Sequence, residues 1–198
     1  MAVTVSPVTP ERWGDLVEFF RPNGAYSNCW CAFFRVRAKD YGASMTWDPP
    51  DPGRSNREVL ERLTLAGDVP GLLAYHGDEP VGWVSVAPRP QYERVLRSRT
   101  IGPDKPDETD VWSIVCFWIP ARRRRQGIGT VLLDGAVSHA RSRDARVLEA
   151  YPVDTAGERR PGADLYWGTV GMYRRAGFGI AAHPHSGRPV ARLVVRGG

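Results

Sequence analysis

Apolar positions along the chain recur with two different periods, and the switch between them lays out the elements. "VTVSPV" at residues 3–8 alternates apolar and polar positions and predicts a strand. Thr9 then offers an N-cap and Pro10 a first helical position, and Trp13, Leu16, Val17 and Phe20 form a helical stripe that ends at Arg21-Pro22-Asn23-Gly24. A polar stretch through Pro49, Pro50 and Pro52 reads as a shaped loop. A second helix opens with Ser55 as N-cap and Glu58 as its capping-box partner, turns Val59, Leu60 and Leu63 to one side, and stops at Gly67. The period then becomes that of strands, with a hairpin over residues 72–75 and 81–87 turning through His76-Gly77-Asp78-Glu79. After a polar connection at 89–110, "VWSIVCFWI" (111–119) is apolar almost throughout, as a strand buried on both faces is.

Beyond Pro120, Ile128, Val131, Leu132, Ala136 and Ala140 recur at helical spacing up to about Arg143, and "RVLEAY" (146–151) follows as a strand. Residues 111–151 therefore form a strand, helix, strand unit of the parallel crossover kind. A short helix ending in "MYRRAGFG" and two strands near 179–182 and 189–195 complete the chain. The expected fold class is α/β (α+β): a central mixed, mostly antiparallel sheet of about seven strands flanked by about four helices, with the parallel crossover unit at 111–151. No repeat or shift of composition divides the chain, so residues 1–198 are read as one domain.

Composition narrows the function classes only modestly. The 198 residues are 42% hydrophobic and 25% charged, the balance of an ordinary globule. No apolar run approaches the ~18 residues of a membrane span, and the N-terminus lacks the regions of a signal peptide, so a cytoplasmic protein without a membrane partner is expected. Cys29, Cys31 and Cys116 are too few and too oddly spaced for a disulfide framework and are expected to be free thiols. The net charge of +5 would suit nucleic acid, an acidic surface or a phosphorylated cofactor, and only local sequence separates these.

The separating stretch is "RRRRQGIG" (122–129), between the apolar strand and the amphipathic helix. The first turn of a helix leaves N–H groups without partners and carries partial positive charge, so an anion binds there readily. Gly127 and Gly129 remove side chains that would hold a diphosphate away, and Arg122 to Arg125 add charge. The chain has no Gly-Lys-Ser or Gly-Lys-Thr, and Leu132 stands where a dinucleotide fingerprint needs its third glycine. A nucleic-acid module is disfavoured, because the arginines form one run on one loop without interleaved aromatics or a recognition helix.

Arg124-Arg125-Gln126-Gly127-Ile128-Gly129 matches the Arg/Gln-x-x-Gly-x-Gly/Ala signature, and "YRRAGF" (173–178), about 45 residues later, matches the Tyr-x-x-x-Gly-Phe motif of one family. By these motifs the chain resembles the GNAT superfamily of acetyl-CoA-dependent N-acetyltransferases. The resemblance covers most of the chain, although residues 21–54 and 89–110 carry no motif. It implies acetyl-CoA as co-substrate, with the backbone of Phe117, Trp118 and Ile119 pairing with the pantetheine arm. It places the diphosphate on the N–H groups of Gln126, Gly127, Ile128, Gly129 and Thr130, with Arg124 and Arg125 beside it. The family often dimerises, which makes a homodimer one option and leaves the oligomeric state open. Tyr173 falls at the position whose hydroxyl faces the cofactor sulfur and is the candidate general acid, the alternative being a packing residue of the last helix. The Asn usual seven residues before that tyrosine is Tyr166 here, which puts one cofactor contact in doubt.

Glu149 is the strand carboxylate beside the expected channel. It could deprotonate the ammonium, hold a cationic substrate, or pair with an arginine; Asp154 is a second acidic candidate, acting on the acceptor. Trp30, Phe33, Tyr151, Asp154, Tyr166 and Trp167 are the candidate acceptor wall, with Phe34 beside them, and suit a partly apolar amine. "NCWCAFFR" (28–35) is the most unusual composition in the chain, but Cys29 and Cys31 with His183 or His185 lack the second pair of a zinc site, and no metal is expected. The reading is acetyl transfer from acetyl-CoA to a primary amine of a small molecule by direct attack in a ternary complex. The alternatives are a protein N-terminal or lysine amine as acceptor, a non-catalytic acyl-CoA-binding protein, and a nucleic-acid-binding protein.

Overall fold

The structure is a computed structural model that describes residues 2–21, 29–37, 56–158, 160–161 and 165–195. Seven strands form one sheet in the order β1-β2-β3-β4-β5-β7-β6: β1 (Val3–Pro7), β2 (Leu72–His76), β3 (Glu79–Pro88), β4 (Val111–Trp118), β5 (Val147–Ala150), β6 (Gly179–Ala182) and β7 (Pro189–Val194). Every neighbouring pair is antiparallel except β4 and β5, which the crossover makes parallel. Among the described residues five α-helices flank it, α1 (Trp13–Phe20), α2 (Asn56–Leu65), α3 (Glu93–Leu96), α4 (Ile128–Ser142) and α5 (Val170–Arg175). The fifth is α3, a single turn inside the stretch read as a polar connection. Pro10 does not start α1: residues 10–12 form a 3-10 turn, Thr9 makes no capping hydrogen bond, and the α-helix begins at Trp13. Ser55, the expected cap of α2, lies outside the described residues.

The two faces of the sheet bury different side chains. On one, α4 lays Ile128, Leu132, Leu133, Ala136 and Ala140 against Leu72, Ala74, Val84, Val86 and Ile114. Gly82 and Gly135 let it seat closely: a Cβ on Gly82 would lie 2.8 Å from Ile128, and one on Gly135 2.7 Å from Val5. On the other face, Leu16, Phe19 and Phe20 of α1 join Phe34, Trp83, Tyr92, Cys116, Tyr151 and Trp167.

The register of β3 on β4 slips once, and the site depends on that slip. Ser85 faces Cys116 but Val86 faces Ile114, so Val115 is an extra residue, a β-bulge in β4. Consecutive Val115 and Cys116 consequently both reach the aromatic face, and Phe117 returns to the face of α4. Pairing with β5 stops at the same point. Its last rung is Ile114 with Ala150, and residues 115–118 of β4 continue without β5 beside them.

Candidate active site

The gap between the parted strands is flanked by the chain that leads into α5. Phe117 donates its N–H to the Tyr166 carbonyl (2.6 Å), Val153 donates to the Gly168 carbonyl (3.0 Å) and Val170 to the Val153 carbonyl (3.1 Å). The Phe117 N–H expected to meet the pantetheine arm is thus already satisfied by Tyr166, the residue standing where the family usually has Asn. Gly168 is required in this segment: its φ is +76°, and a Cβ would meet Met172 at 2.6 Å and Tyr173 at 3.0 Å.

The basic loop divides its four arginines among different tasks. Arg122 and Arg123 both pair with Glu79, tying the loop to the hairpin. Arg124 turns inward, donating from Nε to the Ile119 carbonyl (3.0 Å) with its guanidinium over the Trp118 ring. Arg125 adopts a left-handed φ of 61° and makes no ion pair among the described residues. Gly127 caps α4 with φ +80° and nothing within 4 Å of where a Cβ would stand, so the approach to the helix N-terminus is open. Thr130 departs from the expected set of donors, because its N–H is spent on the Gly127 carbonyl (3.0 Å). The donors left in the first turn are those of Ile128 and Gly129, with Gly127 and Arg125 at the rim.

Tyr173 is fully buried, edge-on to Phe178, and its hydroxyl donates to the Trp167 carbonyl at 3.1 Å. Burial, with Cys116 nearby, pushes the phenol well above its ordinary value of 10. The group therefore keeps its proton at neutral pH. Glu149 is also buried, and both its oxygens are engaged: Tyr151 donates to Oε1 (2.7 Å) and Arg192 to Oε2 (2.9 Å), with the buried Arg89 at 3.6 Å. Arg192 also reaches Glu108 at 2.6 Å, while Arg89 donates to the carbonyls of Lys105 and Glu108. Of the alternatives open for Glu149, the geometry displays pairing with arginine.

A cavity of about 220 Å³ lies on the aromatic face at the end of β4, lined by Phe20, Cys29, Cys31, Phe33, Phe34, Cys116, Phe117, Trp118 and Tyr166. The structure thus brings Phe33 and Tyr166 together with Phe117 and Trp118. Other expected wall residues lie elsewhere. Trp30 packs on Trp13 and Phe20 (6.1 and 5.1 Å between centroids), Tyr151 is buried on Glu149 and Ser113, and Asp154 is exposed with Oδ1 accepting from the Ala156 N–H. Trp167 stands behind Tyr166, stacked on it and packed on Phe34. Cys116 on the wall and Arg188, whose guanidinium lies 4.9 Å from the Trp167 ring centre, were missed, and only the density of aromatic and thiol residues in "NCWCAFFR" pointed this way. His183 pairs with the Gly102 carbonyl (2.9 Å) and accepts from the His185 N–H. Among the described residues no group of three His, Cys, Asp or Glu could hold a metal ion, and no helix is long and apolar enough to cross a membrane.

Comparison with known proteins agrees with this architecture. Over 98% of the chain the fold is similar to PaiA N-acetyltransferase from Thermoplasma acidophilum, solved with coenzyme A, at 11% identity, a TM-score of 0.53 and 99% of that chain covered. It is similar to ribosomal-protein-alanine N-acetyltransferase from Brucella melitensis at 19% identity and TM-score 0.52, covering 96% of this chain and 99% of that one. Diaminobutyrate acetyltransferase EctA from Paenibacillus lautus, solved with its substrate and coenzyme A, matches at 14% identity and TM-score 0.50, over 98% of this chain and 95% of its own. No curated protein sequence matches. The model of the acetyltransferase (GNAT) family matches residues 30–178, from the cavity wall to the end of the closing motif. With that match over the site just described, the chain belongs to the GNAT family of acetyltransferases, enzymes that take their acetyl group from acetyl-CoA.

Proposed function

We propose that the protein acetylates the primary amine of a small molecule by direct attack within a ternary complex. The observation that carries the reading is the cavity at the end of β4, about 220 Å³ and almost wholly aromatic and thiol in its lining. Ligand pockets for drug-sized molecules run to about 300–1,000 Å³, so this space suits the reactive end of a small, partly apolar amine. Aromatic faces also attract the amine's cationic form on its way in.

The donor set fits acetyl-CoA from the other side of the gap. Ile128 and Gly129 would hold the diphosphate from their N–H groups with Arg125 at the rim, and the backbone of Trp118 and Ile119 would guide the pantetheine arm. Bound there, acetyl-CoA supplies the activated thioester. Tyr173, which keeps its proton, donates it to the departing sulfur. Desolvation in an apolar cavity disfavours the ammonium form of an amine, so the walls themselves help to yield the neutral nucleophile. Glu149 is assigned a positioning role, holding Tyr151 against Trp167 (5.6 Å between ring centroids).

The test is calorimetric titration with acetyl-CoA, followed by thiol-release assays on a panel of small amines and on peptides with free N-termini or lysines. Gly129→Asp is the control. Its Cβ would make only ordinary contacts with Ile119 and Met172, and a carboxylate in the first turn favours the helix while repelling a diphosphate. Acetyl-CoA affinity should fall at least about tenfold, or about 1.4 kcal/mol, with the melting temperature held. Turnover confined to peptides would overturn the small-molecule reading; unchanged affinity in the variant would overturn the cradle.

A further inference from the structure

All three cysteines of the chain line the one cavity, though they come from distant parts of the sequence. Cys29 and Cys31 belong to the segment after α1, and Cys116 is delivered by the bulge of β4. Cys31 and Cys116 are both buried, and their Sγ atoms lie 2.8 Å apart. That is closer than unbonded sulfurs ordinarily rest, and about 0.8 Å beyond a disulfide bond of about 2.05 Å. Two packing residues could be any small apolar pair, and nothing in packing alone brings two thiols into contact. The backbone also aims Cys31. It holds φ 50° after Trp30 at φ 49°, and the turn is fastened by the Ala32 N–H on the Cys29 carbonyl (2.9 Å).

We propose that Cys31 and Cys116 are a dithiol–disulfide site in the cavity wall, oxidised reversibly by a low-molecular-weight disulfide. Cys29, the one partly exposed thiol, is its point of entry. Its thiolate attacks one sulfur of the oxidant and expels one thiol, leaving a mixed disulfide. Cys31 attacks the Cys29 sulfur and expels the second thiol; Cys116 then attacks the Cys31 sulfur and returns Cys29 to the thiol. Two electrons pass from the pair to the oxidant, and two protons leave on the released thiols. Direct attack by Cys31 is slow, since its hydrogen bond to Cys116 and its burial push its thiol well above the ordinary value of 9. The bond ties the segment at 29–37 to β4 and stiffens the space given to the acceptor, a consequence that rests on the function proposed above.

The experiment treats the full-length protein with oxidised glutathione, quenches with acid, blocks remaining thiols with N-ethylmaleimide and maps peptides by mass before and after reduction. One alkylatable thiol should remain, on Cys29, with Cys31 and Cys116 joined until dithiothreitol is added. Cys29→Ser should give the same bond more slowly, and Cys116→Ser should abolish it. Three alkylatable thiols after oxidation, a mixed disulfide stable on Cys29, or Cys29 bonded to Cys31 as the end product would each overturn the proposal. These outcomes do not depend on activity. In the oxidised enzyme the acceptor KM should rise at least about threefold with acetyl-CoA affinity unchanged; if the bond forms and no small amine is turned over, the thiol site stands and the acceptor reading falls.

Discussion

The face of the sheet under α4 is mostly aliphatic, whereas the opposite face is threaded with hydroxyls, guanidinium groups and thiols among its aromatic rings. Under α4, side chains meet mainly as hydrocarbon, and their positions follow chiefly from volume. On the other side Arg35 donates to the Tyr92 hydroxyl (3.1 Å), to the Pro70 carbonyl (2.9 Å) and to Gln91 (2.8 Å), Ser85 bonds Tyr92 (3.0 Å), and Arg89 and Glu149 are buried together. A buried polar lattice fixes orientation as well as volume, since each member has costly alternatives. The difference suits the division of labour proposed above: a firm platform for the cofactor, and a wall whose groups are aimed for the acceptor.

Substitutions should separate the two faces. Leu132→Ala opens a void under α4 and should cost about 3 kcal/mol of stability in denaturant titrations, with the acceptor KM unchanged wherever the enzyme is folded. Glu149→Gln leaves Arg89 and Arg192 without their buried counter-charge and should cost about 3 kcal/mol as well. Unlike Leu132→Ala it should change kcat/KM, and the acid limb of the pH–rate profile should survive, because a positioning residue moves the level and not the pKa of that limb. Loss of the limb would make Glu149 the base after all. Tyr173→Phe bridges the comparison, since its ring packs under α4 and its hydroxyl reaches Trp167 on the other side. It should lower kcat about 10- to 100-fold while removing no more than about 1.5 kcal/mol of stability; an unchanged kcat would leave it a packing residue.

The smallest effect expected is a pH dependence confined to the α4 face. His139 packs on Trp112, and burial, with Arg143 nearby, pushes its imidazole down to about 4 from 6.5. The unfolded chain therefore takes up the proton first, so this contribution is complete above pH 6.5 and is lost as the pH falls toward 4. The imidazole is partly exposed, and solvent screening limits the loss to about 1–2 kcal/mol. His139→Phe should flatten stability across that window, read by urea titrations at intervals of pH.

Much of this arrangement was legible before any coordinates, and its limits have physical reasons. The strands, α4 and its glycine-rich entry are written in short-range periodicity, which local sequence specifies directly. Ile128, Leu132, Ala136 and Ala140 were accordingly legible from their spacing, whereas the buried Leu133 lies outside that stripe and Val131 within it is only half-buried. The bulge at Val115 was not, because "VWSIVCFWI" is apolar at nearly every position and an unbroken apolar run carries no record of which side each residue takes. Neither was the burial of Glu149 on Arg89 and Arg192, since ion pairs across 60 and 43 residues leave no trace in spacing. Trp30 was assigned from the resemblance and Asp154 as a second acidic candidate, and the structure sets one in packing and the other in an exposed turn.

The extra residue in β4 acts as a phase slip. Before Val115, even-numbered side chains such as Trp112 and Ile114 face α4; after it, odd-numbered ones, Phe117 and Ile119, do. Deleting Val115 would therefore leave a regular strand with Phe117 and Ile119 still under the helix and Cys116 and Trp118 still on the aromatic face. Keeping Val115 but pairing it in plain register would exchange those destinations, sending Phe117 and Ile119 toward the acceptor and Cys116 and Trp118 under the helix. The bulge thus decides which side chains of β4 reach the cavity.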